Sequence, residues 1–212
     1  MKKLAFTLAA ILLYQIAPLL WAPRLLLHWK MLAIIVAAAV LWLTQPALRP
    51  HEVEAHHKAD RHTVWLILAM AGVSTIIPEI EWAYLRSNHF GDAVWNLVGL
   101  LLMAGGTGYR IWAIRTLGKH FTATVQTADT QTLITSGPYR NLRHPSYLGA
   151  FVAVVGCAVL LQSWVGAAVA TGAMLYAYYQ RITVEESALS AHFGKTYRDY
   201  QIKTWRMLPG VW

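Results

Sequence analysis

The chain has a single cysteine, Cys157, in 212 residues. No disulfide framework can form within it, and no Cys-x-x-Cys metal signature exists. Cys157 sits in an apolar run and reads as a small packing residue. Charge is scarce as well: 13% of residues are charged, where a soluble domain carries roughly a quarter. Acidic side chains number 10 against 18 basic ones. The resulting formal charge of +8 does not call for nucleic acid, because basic residues beside apolar spans set topology and touch anionic membrane lipids. The connecting segments are too small to fold alone, which leaves one integral membrane domain and excludes a separate soluble cofactor domain. No internal repeat or low-complexity segment is present.

What the chain has instead is apolar length. Hydrophobic residues make up 57% of it, with ten tryptophans and ten tyrosines whose rings favour the membrane–water boundary. A span needs roughly 20 mostly apolar residues, fewer where flanking side chains snorkel. Six stretches qualify: Leu4–Trp21, Met31–Leu48, Val64–Leu85, Ala93–Leu117, Ser146–Leu161 and Trp164–Gln180. The expected fold is therefore all-α, a polytopic integral membrane protein of about six transmembrane helices. Only Gln162-Ser163 joins the last two, so they read as a tight helical hairpin. The start Met1-Lys2-Lys3 resembles a signal peptide, but the apolar run continues through Leu19-Leu20-Trp21 without a small-residue cleavage pattern, so an uncleaved first span is expected. With the N-terminus inside, six spans place every basic residue except Arg24, Lys30 and Arg86 on the inner side, as the positive-inside rule favours. Both termini are then cytoplasmic, at the inner (plasma) membrane if the source is bacterial. Beyond Val184, apolar or aromatic residues recur at Ala188, Leu189, Phe193, Tyr197 and Tyr200. That spacing predicts a C-terminal amphipathic helix against the inner face, ended by Pro209-Gly210.

Several conspicuous residues have plain readings. Gly105-Gly106-Thr107-Gly108 lies inside an apolar helix with no strand before it, so it fails the context of a dinucleotide loop and reads as close helix packing. Arg110 and Arg115 read as snorkelling anchors, with phosphate or carboxylate contacts as the alternative. Glu79 and Glu81 are expected to face water at the end of the third span, with a buried functional pair as the alternative. His51, Glu52, Glu54, His56, His57, Asp60 and His62 match no established ligand spacing; the segment reads as a solvated connector, and no metal site is expected.

The stretch Gly137–Gly149 is different. It packs Tyr139, Arg143, His144 and Tyr147 into the gap before an apolar run, where basic groups are costly to bury. The His-Pro pair keeps His144 out of helix, so the fifth span starts just after it, with a free N-terminus suited to a carboxylate or phosphate. Arg181 and Glu185 are four apart on one helix face at the end of the sixth span. Polar groups at both mouths of one hairpin point to a reaction site at the inner membrane surface.

Gly-Pro-Tyr-x-x-x-Arg-His-Pro-Ser-Tyr-x-Gly, with Glu185-Glu186, Leu189, Phe193-Gly194, Tyr197, Tyr200, Arg206 and Pro209 downstream, resembles the signature of the isoprenylcysteine carboxyl methyltransferase family. The resemblance covers about Gly105 to the C-terminus; the first three spans carry no family signal. It implies a membrane methyltransferase that uses S-adenosylmethionine without a Rossmann domain, with residues 1–92 as N-terminal helices and 93–212 as the catalytic core. By position it implies cofactor binding by Gln126, Gln131, Thr132, Leu133, Ile134, Tyr139, His144, Pro145, Ser146, Tyr147 and Glu185. It implies that Arg181 grips the carboxylate of a lipophilic, isoprenylcysteine-like or lipid-like small-molecule acceptor, which would enter sideways near the fourth and sixth spans. Three other readings stand beside it. One is an N-methyltransferase of phospholipid amines, which would need a base such as Glu186 or His144. Another is an NADPH-dependent sterol-type reductase. The third is a non-catalytic channel, transporter or scaffold.

Overall fold

A computed structural model describes residues 2–44, 58–118 and 132–212. Gln126, Gln131 and the run His51–His57 lie outside the described residues. The described chain is helical, with one isolated bridge between Leu142 and Trp205. Helix α1 (Lys2–Ile11) runs into a π-helical turn (Leu12–Ile16) and two 3-10 turns (Ala17–Leu19 and Pro23–Leu27). Helices α2 (Trp29–Thr44), α3 (Lys58–Ile80, continued by a π-helical turn Glu81–Leu85), α4 (Ala93–Leu117), α5 (Pro145–Leu160), α6 (Trp164–Phe193) and α7 (Lys195–Lys203) follow. His62–Leu85 and Ala93–Leu117 are long and apolar enough to cross a membrane, while Lys3–Leu19, Trp29–Thr44 and Pro145–Leu160 are shorter apolar helices.

Local chemistry sets these boundaries. Asp92 caps α4 by accepting from the backbone N–H groups of Val94 and Trp95, an anion at the positive end of the helix. Pro145 opens α5, where a missing N–H costs nothing. The α5–α6 hairpin turns on Gln162, which takes φ 56°. Its side-chain amide offsets that strain by donating to the Asp92 carbonyl at 2.9 Å and to Asn96 Oδ1 at 3.2 Å. Ser163 caps α6, and the Glu81 carboxylate accepts from both the Ser163 hydroxyl and the Gly166 N–H.

Helices α4 and α5 form the closest pair. A Cβ on Gly106 would meet the Ala153 nitrogen at 2.5 Å and the Gly149 oxygen at 2.6 Å; one on Gly149 would meet the Arg110 nitrogen at 2.6 Å. Only glycine permits this approach. Gly105 and Gly108 face open space, so the packing reading of the glycine cluster holds for Gly106 alone. Replacing Gly149 with valine should force the helices apart, at a cost of about 1–3 kcal/mol. A lower apparent melting temperature in detergent, without loss of expression, is the expected result.

Two expectations are corrected here. The sixth span does not end at Gln180, and no separate helix starts at Val184. Helix α6 runs unbroken for 30 residues, ~45 Å at helical rise, beyond the ~30 Å apolar core of a bilayer. It ends at Gly194, whose φ of 55° suits glycine. Only α7 follows, ending at Lys203 rather than at Pro209-Gly210. Glu79 and Glu81 do not face water either. Glu79 is 1% exposed, and Glu81 is spent on the α6 cap, because the α3 end packs on the hairpin.

Candidate active site

The overhanging end of α6 carries the site. The chain segment after α7 folds back along residues 141–144: the Arg143 and His144 N–H groups donate to the Trp205 and Arg206 carbonyls, both at 2.9 Å, and Trp205 N–H donates to the Asn141 carbonyl at 3.0 Å. Below this clamp sits Glu186. It accepts from Arg143 Nε at 2.6 Å, Arg206 Nε at 2.9 Å, His144 Nε2 at 3.3 Å and Gln201 Nε2 at 3.4 Å. Arg143 also donates to the Gln201 and Thr204 carbonyls. Burial pushes the Glu186 carboxyl up, but the hydrogen bonds from His144 and Arg143, and their charges, outweigh it and hold the group down at about 2. Glu186 is thus a structural staple with no spare capacity to take a proton from a substrate.

Glu185, one residue earlier, faces a different way. Its Oε2 accepts from the Tyr147 hydroxyl at 2.8 Å and lies 4.0 Å from Arg181 Nε, while its Oε1 lies 3.9 Å from His144 Nδ1. Arg181 Nε also donates to the Tyr147 hydroxyl at 3.4 Å and its Nη1 to Thr63 Oγ1 at 3.1 Å. The Tyr147 ring stacks between His144 (5.7 Å between centroids) and Tyr178 (4.9 Å). His144 and Arg181, expected at one mouth, are joined there through Glu185 and Tyr147.

Two unlike cavities meet at this junction. One is polar and aromatic, and its walls include Thr132, Leu133, Ile134, Tyr139, His144 and Glu185. The other is mostly apolar and runs among α1, α2, α3, α5 and α6, with Tyr147, Arg110 and Arg181 at one end. Pro145 and Ser146 line neither: they form the first turn of α5, and the Ser146 carbonyl accepts from Arg110 Nη1 at 2.9 Å.

Arg110 departs from the snorkelling reading. It is 2% exposed and aims into the molecule, because Gly106 and Gly149 bring α4 so close to α5 that its guanidinium reaches Ser146. It does not snorkel. Helical spacing did contain a signal for the polar cavity, since Glu185, Leu189 and Phe193 recur every four residues and all line it. The first three helices, silent in the sequence, supply much of the apolar cavity wall, whereas α4 contributes only Arg110.

The model of the isoprenylcysteine carboxyl methyltransferase (ICMT) family matches residues 97–191. A protein-S-isoprenylcysteine O-methyltransferase of Dictyostelium discoideum is 37% identical over 173 residues, covering 81% of this chain and 71% of that protein. The chain belongs to the isoprenylcysteine carboxyl methyltransferase family. The Homo sapiens protein of the same description is 34% identical over 119 residues, 55% of this chain and 42% of that one. The chain thus spans under half the length of the human relative. A solved structure of a eukaryotic intramembrane Ras methyltransferase of the family superposes with a TM-score of 0.63 at 24% identity, over 99% of this chain and 75% of that one. The membrane fold is shared along the whole length, and the amoebal match reaches further back than Gly105, so the likeness to the family is wider than the signature region.

Proposed function

We propose that the chain is an S-adenosylmethionine-dependent methyltransferase of the membrane that esterifies the carboxylate of a lipophilic, isoprenylcysteine-like acceptor. The observation that carries this reading is the meeting of the two cavities at Tyr147, Glu185 and Arg181. The polar cavity fits the methyl donor. Its tyrosines and Phe193 offer flat apolar faces, and Glu185 offers a carboxylate to a cationic ligand. Thr132, Leu133, Ile134, Tyr139, His144 and Glu185 hold the donor there, while Pro145 and Ser146 set the first turn of α5 that carries Tyr147 to Glu185. Gln126 and Gln131 are assigned to the donor on the family signature alone.

When bound, the donor supplies an electrophilic methyl group on a sulfonium sulfur. Arg181 and Arg110 hold the acceptor carboxylate from the apolar side, with Arg181 offering a forked grip. A carboxylate is ionised at neutral pH and needs no base. The chain's task is to orient it and exclude water, which the apolar cavity does. Two guanidiniums at one end of an apolar cavity suit an acidic acceptor better than an amine, and Glu186, the expected base for an amine, is fully engaged. Six helical spans with both termini in the cytoplasm complete the reading. Residues 93–212 form the catalytic core and residues 1–92 complete its lipid-facing wall. The donor enters from the cytosol and the acceptor from the bilayer.

Calorimetry with S-adenosylmethionine and with NADPH, on detergent-purified protein, tests the reading. Binding of S-adenosylmethionine alone is expected. Binding of NADPH alone would select a reductase, and binding of neither a non-catalytic protein. Glu185→Gln should weaken S-adenosylmethionine about 10–100-fold by removing a charge-assisted contact.

A further inference from the structure

The apolar cavity is closed at the end away from its guanidiniums. Helices α3 and α5 run along it in the same direction and are tied to common partners at both ends. At one end Arg181 donates to Thr63 of α3 and to the Tyr147 hydroxyl of α5. At the other, Glu81, in the turn that continues α3, accepts from the Ser163 hydroxyl just beyond α5 and from the Gly166 N–H at 2.9 Å. The lining residues furthest along the two helices are Thr75 and Cys157. Both keep partial exposure. The Thr75 hydroxyl is spent on its own helix, donating to the Ala71 and Gly72 carbonyls at 3.0 and 3.1 Å. Beyond this pair the cavity gives way to solid core. Leu19, Met31, Trp82, Leu160 and Leu161 are each at most 1% exposed and pack as one cluster, with Cys157 against it.

The two helices measure the depth independently. Thr75 lies twelve residues beyond Thr63 on α3, ~18 Å at helical rise. Cys157 lies ten residues beyond Tyr147 on α5, ~15 Å, and Arg110 is held one residue before Tyr147, at the Ser146 carbonyl. An S-prenylcysteine gripped at its carboxylate would extend down the cavity by about 1.25 Å per main-chain bond. The carboxyl carbon is then ~14 Å from the end of a geranyl chain, ~19 Å from that of a farnesyl chain and ~24 Å from that of a geranylgeranyl chain. A farnesyl chain fits with a single bend, and a geranylgeranyl chain overruns the floor.

We infer that Thr75 and Cys157 form a floor that limits the length of the acceptor's chain, so that the site takes up to three isoprene units and disfavours a fourth. A fourth unit must push apart a close-packed core or leave apolar chain outside the cavity, and either costs affinity. This inference rests on the acceptor reading of the cavity given above.

The test measures equilibrium affinity, in lipid nanodiscs and per mole fraction of ligand, for N-acetylcysteine carrying an S-geranyl, S-farnesyl or S-geranylgeranyl chain. Wild-type protein, Cys157→Phe and Thr75→Leu are compared, with S-adenosylmethionine binding reporting an intact fold. The wild type should bind the geranylgeranyl compound roughly tenfold more weakly than the farnesyl one. Cys157→Phe raises the floor and should weaken the farnesyl compound about tenfold more than the geranyl one. Thr75→Leu intrudes less and should shift the preference the same way, by a smaller factor. Geranylgeranyl binding as tight as farnesyl binding in the wild type, or an equal loss across all three chains in a folded variant, overturns the inference. The two readings fail separately. A length limit without methyl transfer would sink the methyltransferase reading and leave the floor in place. Methyl transfer without a length limit would sink only the floor.

Discussion

Replacing Arg181 with alanine should leave affinity for S-adenosylmethionine within about threefold and lower kcat/KM for a prenylcysteine acid by about 10²–10³-fold, the scale of a lost orienting charge at a reacting centre. The asymmetry follows from placement. Arg181 lines the apolar cavity and not the polar one, and it is tied to the polar side through Tyr147 and Glu185. Arg181→Lys should recover part of the loss, since a lysine restores charge without the fork. Calorimetry and initial-rate kinetics on the same preparations separate the two quantities. Equal losses in both would show that Arg181 holds the donor instead.

Glu186→Gln should be the most destabilising single change outside the helix contacts. Arg143, Arg206 and His144 all converge on this carboxylate. Neutralising it leaves the buried Arg143 guanidinium without its counter-charge, at a cost of roughly 3–5 kcal/mol. The pH dependence gives an independent check. The folded carboxyl is held at about 2, below its ordinary value of 4.5. Its stabilisation is therefore complete above about 4.5, and is lost as pH falls through that range toward 2. Apparent melting temperatures of wild type and Glu186→Gln should differ most near neutral pH and converge on acidification. A constant gap across that window would place the effect of Glu186 in packing rather than charge.

The parts of this molecule that were legible from sequence share a cause. Helix α4 spans the expected Ala93–Leu117, because Asp92 and Gly118 punctuate an uninterrupted apolar run. The α5–α6 hairpin followed from Pro145 and from the shortness of the Gln162-Ser163 link. What stayed hidden depends on contacts between distant segments. Arg110 carries the same local pattern as a snorkelling anchor such as the exposed Arg115; its burial comes from Gly106 and Gly149 on facing helices. Glu79 and Glu81 look like boundary acids until the α5–α6 hairpin covers them. The continuation of α6 to Phe193 was obscured because Arg181, Glu185 and Glu186 end its apolar stretch without ending its helix.

The location of the transferred methyl group bears most directly on the claim that donor and acceptor meet across Tyr147, Glu185 and Arg181. Purified protein incubated with S-adenosylmethionine labelled in its methyl carbon, together with N-acetyl-S-farnesylcysteine, should yield the labelled, base-labile methyl ester of the acid, and Arg181→Ala should slow its formation about 10²–10³-fold. Label recovered on nitrogen or sulfur, or an ester formed as fast without Arg181, would contradict the account.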